Sequence, residues 1–473
     1  MKDILDKGFS VNRRLILSSI QAALFAALAG CSPAIRLSER GDVTAVPMEF
    51  DALQAYCGVY RLDAEHTLGI DRFINDNGEG VMLWTDHRTG AVRRMFQESA
   101  DEFSIGPGFN TRDPVQQIFR FIRDGDRRVV GLAASSIEGE EVFARKALTR
   151  EEDVVFQQGG ATLKGTIIHP DGPGPHPAIV LLHGSGPLTR YSFGPYPRFF
   201  NALGLAVLVF DKRGAGDSTG WRIDASTGAP EKLSSSYYPD YLLADATAAL
   251  NHLCTYPGID PDRIGFWGSS EGGMLSTQIA ARSSGVAFAI NSSGFMGPLW
   301  QTLLYQVEIT MRARGCSQTD IERALEFNRF SLDVARTGNG FNTFLERRED
   351  LVQGGKEAWI GWYIGEYSSL SQMRWSWDHI LSFNPIPALT EVNCPTLGVF
   401  GEFDLSTDAT TAPVAMRDAI LAGDGNKDVT VRVFPNASHS LMEKYAFDDQ
   451  SQGNRMAPGV FDLLREWITQ RVG

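Results

Sequence analysis

The sequence predicts an α/β protein. Its main domain, residues 151–473, is expected to hold a doubly wound, mostly parallel β-sheet, and the preceding domain, residues 47–150, an antiparallel β-barrel or β-sandwich. Three observations lead to this prediction. After residue 150, apolar runs such as Ala178–Leu182 and Leu205–Phe210 alternate with helix-like patterns, as do strands buried in a parallel sheet. Before residue 150, short strand-like runs recur at a spacing of about ten residues, with turn residues between them. Finally, a Gly-x-Ser-x-Gly pentapeptide, Gly268–Gly272, lies between a strand-like run and a helix-like pattern.

Composition and charge exclude several classes of protein. Of the 473 residues, 43% are apolar and 21% are charged, and the formal net charge at pH 7 is -13. This apolar fraction supplies a large core, so a disordered chain is excluded. Proteins that bind nucleic acid normally present a basic face, so no nucleic-acid partner is expected for this acidic chain. The cysteines are far apart and have no histidine partners at ligand spacing, so no metal site is predicted.

The first 30 residues have the pattern of an export signal. A basic start is followed by the apolar stretch Leu15–Ala29, which is too short to cross a membrane as a helix but has the length of a signal-peptide core. This stretch ends in Leu28-Ala29-Gly30-Cys31, which resembles the bacterial lipobox. The resemblance implies a lipid on Cys31 and a place in the cell envelope, on the periplasmic side of a bacterial membrane. An ordinary signal peptide with a coincidental cysteine is the alternative. Residues 31–46 have no periodic pattern and are interpreted as a tether.

The domain at residues 47–150 is predicted to contain eight strands. Its opening residues, Tyr56–Tyr60, resemble the start of small lipocalin-like domains attached to some bacterial serine hydrolases. No catalytic constellation is apparent within it. The predicted strands are Cys57–Leu62, His66–Phe73, Gly80–Thr85, Val92–Gln97, Glu102–Ile105, Gln117–Arg123, Val129–Ala134 and Glu141–Arg145.

Two pentapeptides match Gly-x-Ser-x-Gly, and their surroundings distinguish them. Ser270 follows the strand-like run Arg263–Trp267 and precedes a helix-like face. This is the context of a nucleophile elbow, a tight turn that projects a serine Oγ from the sheet. Ser218, in contrast, is followed by a loop rich in serine, glycine and proline. We therefore predict Ser270 as the nucleophile and assign Ser218 to a loop.

Three motifs in order resemble the α/β-hydrolase superfamily, in particular bacterial esterases and serine-aminopeptidase-like hydrolases. His183-Gly-Ser-Gly186 follows one predicted strand, Asp211-Lys-Arg-Gly-Ala-Gly-Asp-Ser218 follows the next, and the Ser270 elbow follows a third. Residues 295–387 interrupt the β/α alternation with a helical, aromatic-rich insertion. In this superfamily an insertion at that place commonly forms a cap over the active site. Most of its aromatic residues are expected to form the core of the cap, and a few to line an apolar pocket.

The resemblance implies that an acid and then a histidine follow the serine along the chain. Asp404 lies just past the strand-like run Thr396–Phe400 and is the predicted acid. His439 lies on the loop after Val429–Phe434 and is the predicted base. The lesser candidates for these two roles are Asp408 and Glu402 for the acid, and His379, inside the cap, for the base.

The predicted reaction is acyl transfer to Ser270 followed by hydrolysis, and it requires no metal or organic cofactor. The resemblance places the oxyanion hole at the backbone N–H of Glu271 and at the Gly184–Ser185 turn. We expect a hydrolase of small carboxylic esters. A peptidase or amidase with the same triad stays open because the triad does not fix the leaving group. An inactive binding lipoprotein is a third possibility, although every triad position is occupied. The oligomeric state is not predicted.

Overall fold

The computed structural model describes residues 49–472, except 76–77, 137–140, 224–229, 233–238, 357–358, 362–366, 368 and 450–452. The predicted signal peptide, the tether and the lipidation site Cys31 lie outside the described residues and stay predictions. Among the residues that are described, no helix is both long enough and apolar enough to span a bilayer.

The N-terminal domain is a closed eight-stranded antiparallel barrel, one of the two architectures that the sequence predicted. Each strand pairs with the next, and the first pairs with the last through Tyr60 opposite Lys146. Large apolar side chains such as Tyr60, Phe103 and Phe119 fill the interior. The strands are β1 (Gly58–Arg61), β2 (Thr67–Ile74), β3 (Gly80–Asp86), β4 (Val92–Gln97), β5 (Glu102–Ile105), β6 (Gln117–Arg123), β7 (Val129–Ser136) and β8 (Glu141–Lys146).

The second domain is built on an eight-stranded sheet. Its strands are β9 (Arg150–Gln158), β10 (Ala161–His169), β11 (His176–Leu182), β12 (Ala206–Phe210), β15 (Ile259–Ser269), β16 (Phe288–Ser292), β17 (Thr396–Gly401) and β18 (Val429–Phe434). Their order in the sheet is β18-β17-β16-β15-β11-β12-β10-β9. The β9–β10 and β10–β12 pairs are antiparallel, and the other pairs are parallel. A separate two-stranded ribbon is formed by β13 (Trp221–Ile223) and β14 (Pro230–Lys232).

Helices cover both faces of this sheet, so the fold is doubly wound, as predicted. The α-helices are α1 (Tyr196–Ala202), α2 (Pro239–Cys254), α3 (Glu271–Arg282), α4 (Leu299–Ala313), α5 (Gln318–Thr337), α6 (Phe341–Gln353), α7 (Leu370–Ser376), α8 (Ala412–Ala422) and α9 (Val460–Val472). Apolar side chains of α2, α3 and α8 pack on one face of the sheet, and those of α1 and α9 pack on the other.

The insertion between β16 and β17 is helical, formed by α4 to α7, a π-helical turn at Trp377–Leu381 and a 3-10 helix at Ile386–Glu391. Phe327, Phe344 and Tyr367 are buried in its core. Thus several of the aromatic residues that mark this segment in the sequence stabilise the cap itself.

The barrel docks onto the main domain through backbone bonds and a shared core. The amide of Val92 donates to the carbonyl of Asn454 over 2.8 Å, and the amide of Met456 donates to the carbonyl of Gly90 over 2.8 Å. The barrel residues Leu83 and Val92 belong to the same apolar cluster as α1 and α9. The segment that pairs with the barrel follows closely on the loop that carries His439.

Candidate active site

Ser270 occupies a strained turn between β15 and α3. Its backbone angles are φ 58° and ψ -119°, a conformation that costs a non-glycine residue about 1–3 kcal/mol. Backbone bonds hold the turn on both sides: the Ser270 amide donates to the Ser292 carbonyl over 2.8 Å, and the Met274 amide donates to the Ser270 carbonyl over 3.1 Å. The turn is therefore imposed by its neighbours, as a nucleophile elbow requires.

The two glycines of the pentapeptide are required by close approach of the backbone. A Cβ on Gly268 would lie 2.0 Å from the carbonyl oxygen of Gly272, and a Cβ on Gly272 would lie 2.1 Å from the carbonyl oxygen of Leu182. No side chain fits at either distance. The glycines thus allow α3 to start directly against the ends of β15 and β11.

Asp404 and His439 are in direct contact. The Nδ1 atom of His439 lies 2.7 Å from Oδ2 and 2.8 Å from Oδ1 of Asp404, whose side chain is fully buried. The amides of Ser406 and Thr407 also donate to Oδ1, over 2.6 and 2.9 Å. An ionised carboxylate only accepts hydrogen bonds, so Nδ1 carries the proton and Nε2 is left as the basic nitrogen.

The environment of His439 shifts its affinity for protons. Burial acts to lower the pKa of His439, but the negative charge of Asp404 and the hydrogen bond to it outweigh burial. The pKa is therefore raised above its ordinary value of 6.5. A raised pKa makes the imidazole a stronger base, which suits removal of a proton from a serine hydroxyl.

The three predicted catalytic residues follow parallel strands of one sheet. Ser270 follows β15, Asp404 follows β17 and His439 follows β18, so all three lie at the carboxyl edge where sites in such sheets are found. The amide of Phe403 donates to the carbonyl of Ala437 over 2.8 Å, which joins the loops that carry the acid and the histidine.

The lesser candidates have other structural roles. Glu402 is exposed and accepts a hydrogen bond from the amide of Asn436 over 3.0 Å. The Asp408 carboxylate accepts hydrogen bonds from Thr410 and Thr411, just before α8. His379 is exposed on the cap, with its ring stacked on Trp375 at 4.7 Å between centroids.

The predicted oxyanion turn lies against the elbow. A Cβ on Gly184 would be 3.4 Å from the Cβ of Ser270, so the backbone of this turn approaches the serine closely. Glu271, the first residue of α3, is buried, and its carboxylate contacts the ammonium of Lys212. The same ammonium lies 3.0 Å from the carbonyl oxygen of Gly184.

His183, which precedes that turn, remains neutral. Burial and the nearby charge of Lys212 lower its pKa to about 3, against a smaller opposing effect of its hydrogen bond to Thr189. Its Nε2 lies 3.0 Å from the carbonyl oxygen of Thr189, and its ring packs 4.2 Å from that of Phe193. We assign His183 to holding this loop in place.

The rival Ser218 is part of the loop structure, as its sequence context indicated. It is buried, its Oγ donates to the carbonyl of Asp211 over 2.7 Å, and it accepts from the amide of Lys164 over 2.9 Å. The Asp211–Ser218 stretch is therefore a folded turn beside β10, and it does not present a serine at an elbow.

Sequence reasoning missed two residues beside the site. Lys212 contacts Gly184 and Glu271, which belong to the two halves of the predicted oxyanion hole, and its position two residues after a buried strand was the only signal in the sequence. Tyr305 on α4 donates a hydrogen bond to the carbonyl of Asp404 over 2.8 Å, and nothing in the local pattern of a cap helix marks it.

Comparison with known proteins gives the following likenesses. The chain is 28% identical over 168 residues to a quorum-quenching protein, AidA, of Acinetobacter baumannii, covering 36% of this chain and 52% of that protein. It is 25% identical over 214 residues to the esterase FrsA of Escherichia coli, covering 43% and 47%. Thus the chain spans about half the length of these curated relatives. A solved esterase structure from Pyrococcus furiosus is 15% identical with a TM-score of 0.40, covering 68% of this chain and 94% of that one.

A broader match covers more than half of the chain. Residues 179–449 match the family described as the alpha/beta hydrolase family. The matched region begins within β11, and it includes the elbow, the cap and the loops that carry Asp404 and His439. This protein belongs to the alpha/beta hydrolase family.

Proposed function

We propose that this protein is a serine hydrolase that cleaves carboxylic esters through Ser270, His439 and Asp404. The observation that carries the proposal is the contact of His439 Nδ1 with both oxygens of the buried Asp404, at the sheet edge where Ser270 occupies its strained turn. A serine hydroxyl becomes an effective nucleophile only when a neighbouring base accepts its proton.

The proposed reaction has two halves. His439 Nε2 takes the proton of Ser270 Oγ as that oxygen attacks the acyl carbonyl carbon, and Asp404 stabilises the imidazolium that forms. Collapse of the tetrahedral intermediate breaks the ester C–O bond, and the imidazolium protonates the departing alkoxide. Water then attacks the acyl-enzyme in the same way, releasing the acid and regenerating Ser270.

The negative charge on the tetrahedral oxygen requires hydrogen-bond donors. We assign this role to the backbone N–H groups of Glu271 and Ser185. The Glu271 amide is at the N-terminus of α3, where the helix dipole favours negative charge. Gly184, directly before Ser185, packs against Ser270.

The choice of esters is supported by the relatives. FrsA is named an esterase, and a further relative from Aspergillus aculeatus, 30% identical over 132 residues, is named a thiohydrolase. Oxygen esters and thioesters both fit the same triad, because each presents an acyl carbonyl to the serine and the imidazolium can protonate the departing alkoxide or thiolate.

Labelling with a fluorophosphonate and hydrolysis of short p-nitrophenyl esters test the proposal. We expect the purified protein to show both, and Ser270→Ala to show neither. Ser218→Ala, the serine of the second pentapeptide, is the matched control and should still be labelled. Absence of labelling in the wild type, or equal labelling of Ser270→Ala, would exclude the proposed function.

A second comparison tests the base. His439→Ala should lose several orders of magnitude in kcat, whereas His379→Ala should retain most activity. The opposite ranking would assign the base to the cap. A parallel panel of esters, thioesters and aminoacyl amides, compared by kcat/KM, then distinguishes an esterase from a peptidase or amidase.

A further inference from the structure

We propose that Lys212 is a positioning residue that holds both halves of the oxyanion hole with a single ammonium group. This inference rests on the proposed function and adds a residue to it. Lys212 lies two residues after the end of β12 and is 5% exposed, and Glu271 is 1% exposed. A buried pair of this kind is costly unless its geometry is good and its remaining hydrogen bonds are made.

The first contact fixes the orientation of one donor. The Nζ atom of Lys212 lies 3.0 Å from the carbonyl oxygen of Gly184. That oxygen belongs to the peptide group that supplies the N–H of Ser185. A trans peptide is planar and its C=O and N–H point in opposite directions, so an ammonium on the oxygen turns the Ser185 N–H away from Lys212. Withdrawal of electron density by the cation also makes that N–H a stronger donor.

The second contact restrains Glu271, whose backbone N–H is the other proposed donor. The carboxylate of Glu271 contacts the same Nζ atom through Oε2. Glu271 follows Ser270 in the chain, and its backbone N–H is the second proposed donor. Burial raises the pKa of this carboxyl, and the charge and hydrogen bond of Lys212 act against that rise. The Lys212 ammonium therefore connects the loop after β11 to the first residue of α3, the two segments between which an oxyanion would be held.

The neighbouring residue forms a natural control. Arg213 makes a second buried ion pair, its Nε donating to Oδ2 of Asp245 over 2.7 Å. Arg213 lies on the same loop as Lys212, whereas Asp245 belongs to α2. Neither residue contacts Gly184 or Glu271 in any described hydrogen bond. Loss of the Arg213 pair thus reproduces the structural cost of losing a buried pair without touching the proposed donors.

The experiment compares an ester with its thionoester, in which sulfur replaces the carbonyl oxygen. Sulfur accepts hydrogen bonds poorly, so an intact oxyanion hole favours the ester over the thionoester. The test variants of the full chain are Lys212→Met and the double variant Lys212→Met/Glu271→Gln. The double variant leaves no unpaired buried charge. The control is Arg213→Met/Asp245→Asn. Active sites would be counted with a fluorophosphonate.

We expect both Lys212 variants to lose about 10–100-fold in kcat for the ester, with KM changed less than about threefold. The ester-to-thionoester ratio should fall by a similar factor, and the control should keep the wild-type ratio. If Lys212→Met does not fold, the ester-to-thionoester ratio of the double variant is compared with those of the wild type and the control. A folded Lys212 variant with the wild-type ratio, or a control with an equal fall in ratio, overturns the inference. If the wild type showed no ester cleavage that depends on Ser270, the proposed function itself would be overturned.

Discussion

The hydroxyl of Tyr305 donates a hydrogen bond of 2.8 Å to the backbone carbonyl of Asp404, the residue that holds His439. Tyr305 is on the first helix of the cap, so the cap is hydrogen-bonded directly to the backbone of the proposed catalytic acid. The next residue repeats the link, since Gln306 Nε2 lies 3.1 Å from the carbonyl oxygen of Ser406. The cap is thereby connected to the loop whose Asp404 contacts His439, the proposed base.

Removal of this hydroxyl should affect catalysis as well as folding. We expect Tyr305→Phe to leave the Asp404 carbonyl unpaired, to lower the free energy of unfolding by about 1–3 kcal/mol and to reduce kcat severalfold. Tyr60→Phe is the matched control because the Tyr60 hydroxyl also donates to a carbonyl, that of Tyr56, over 2.6 Å inside the barrel. Denaturant unfolding and ester kinetics would measure both effects. Equal kcat losses in the two variants would contradict a catalytic role for the cap contact.

The acid limb of the pH profile should depend on Asp404. His439 must be neutral to act as a base, and its pKa is raised, so kcat/KM of the wild type should rise with pH through an apparent pKa above 6.5. Asp404→Asn removes the charge that raises it and leaves the lowering effect of burial. We expect the limb to move to lower pH and kcat to fall by about 10⁴-fold.

Ester hydrolysis measured from pH 5 to 9 would check this prediction. Glu402→Gln is a suitable control because the exposed Glu402 is bonded to the amide of Asn436. An Asp404→Asn profile with an unshifted limb would show that another group governs it.

Folding stability should fall in mild acid because two buried histidines resist protonation. Burial chiefly lowers the pKa values of His87 and His183 to about 3. In the unfolded chain these residues take up protons below about 6.5, while in the folded chain they stay neutral. Stability is therefore complete above pH 6.5 and is lost as pH falls toward 3. Each histidine accounts for about 2 kcal/mol of this loss by pH 5.

His87→Phe offers a direct check. The ring of His87 packs edge-on against Phe199 and Phe461, so a phenyl ring suits the site. We expect the variant to lose less stability than the wild type between pH 7 and pH 5, as measured by urea unfolding. An unchanged pH dependence would contradict the assigned role of His87.

Lipid attachment tests the predicted location at the cell envelope. Metabolic labelling with palmitate in a bacterial host should mark the wild-type chain and not Cys31→Ala. Cys316→Ala, which alters a cysteine near the α4–α5 connection, is the control and should be labelled like the wild type. Label that persists in Cys31→Ala would exclude the lipobox interpretation.

The sequence predicted the barrel strands and the central sheet because both have strong periodic patterns. Gly159 and Gly160, for example, mark the turn between β9 and β10, and both have positive φ angles. The sequence could not choose between a barrel and a sandwich, because closure depends on pairing between Tyr60 and Lys146 at opposite ends of the domain.

In the candidate site, too, residues marked by a local pattern could be predicted, whereas residues that act through distant contacts could not. A recognisable strand precedes each of Ser270, Asp404 and His439, so their place at the edge of the sheet could be predicted. Their order along the chain was implied by the resemblance to the α/β-hydrolase superfamily. Lys212 and Tyr305 could not, because their roles depend on contacts with residues far away in the chain. A lysine beside an arginine, or a tyrosine on an amphipathic helix, is normally a solvated or packing residue, and only the tertiary contacts with Glu271 and Asp404 distinguish them.

The contact between the barrel and residues 454–456 has a consequence for the independence of the two domains. Ala91 forms an antiparallel bridge with Arg455, and Arg465 of α9 donates to the carbonyl of His87 over 2.9 Å. A cut at residue 150 would therefore expose apolar surface on α1 and α9 and leave backbone groups near the His439 loop without partners. The change of pattern at residue 150 marks a border along the chain, whereas in space Leu83 and Val92 of the barrel share an apolar cluster with the main domain. We therefore expect the two domains to unfold together.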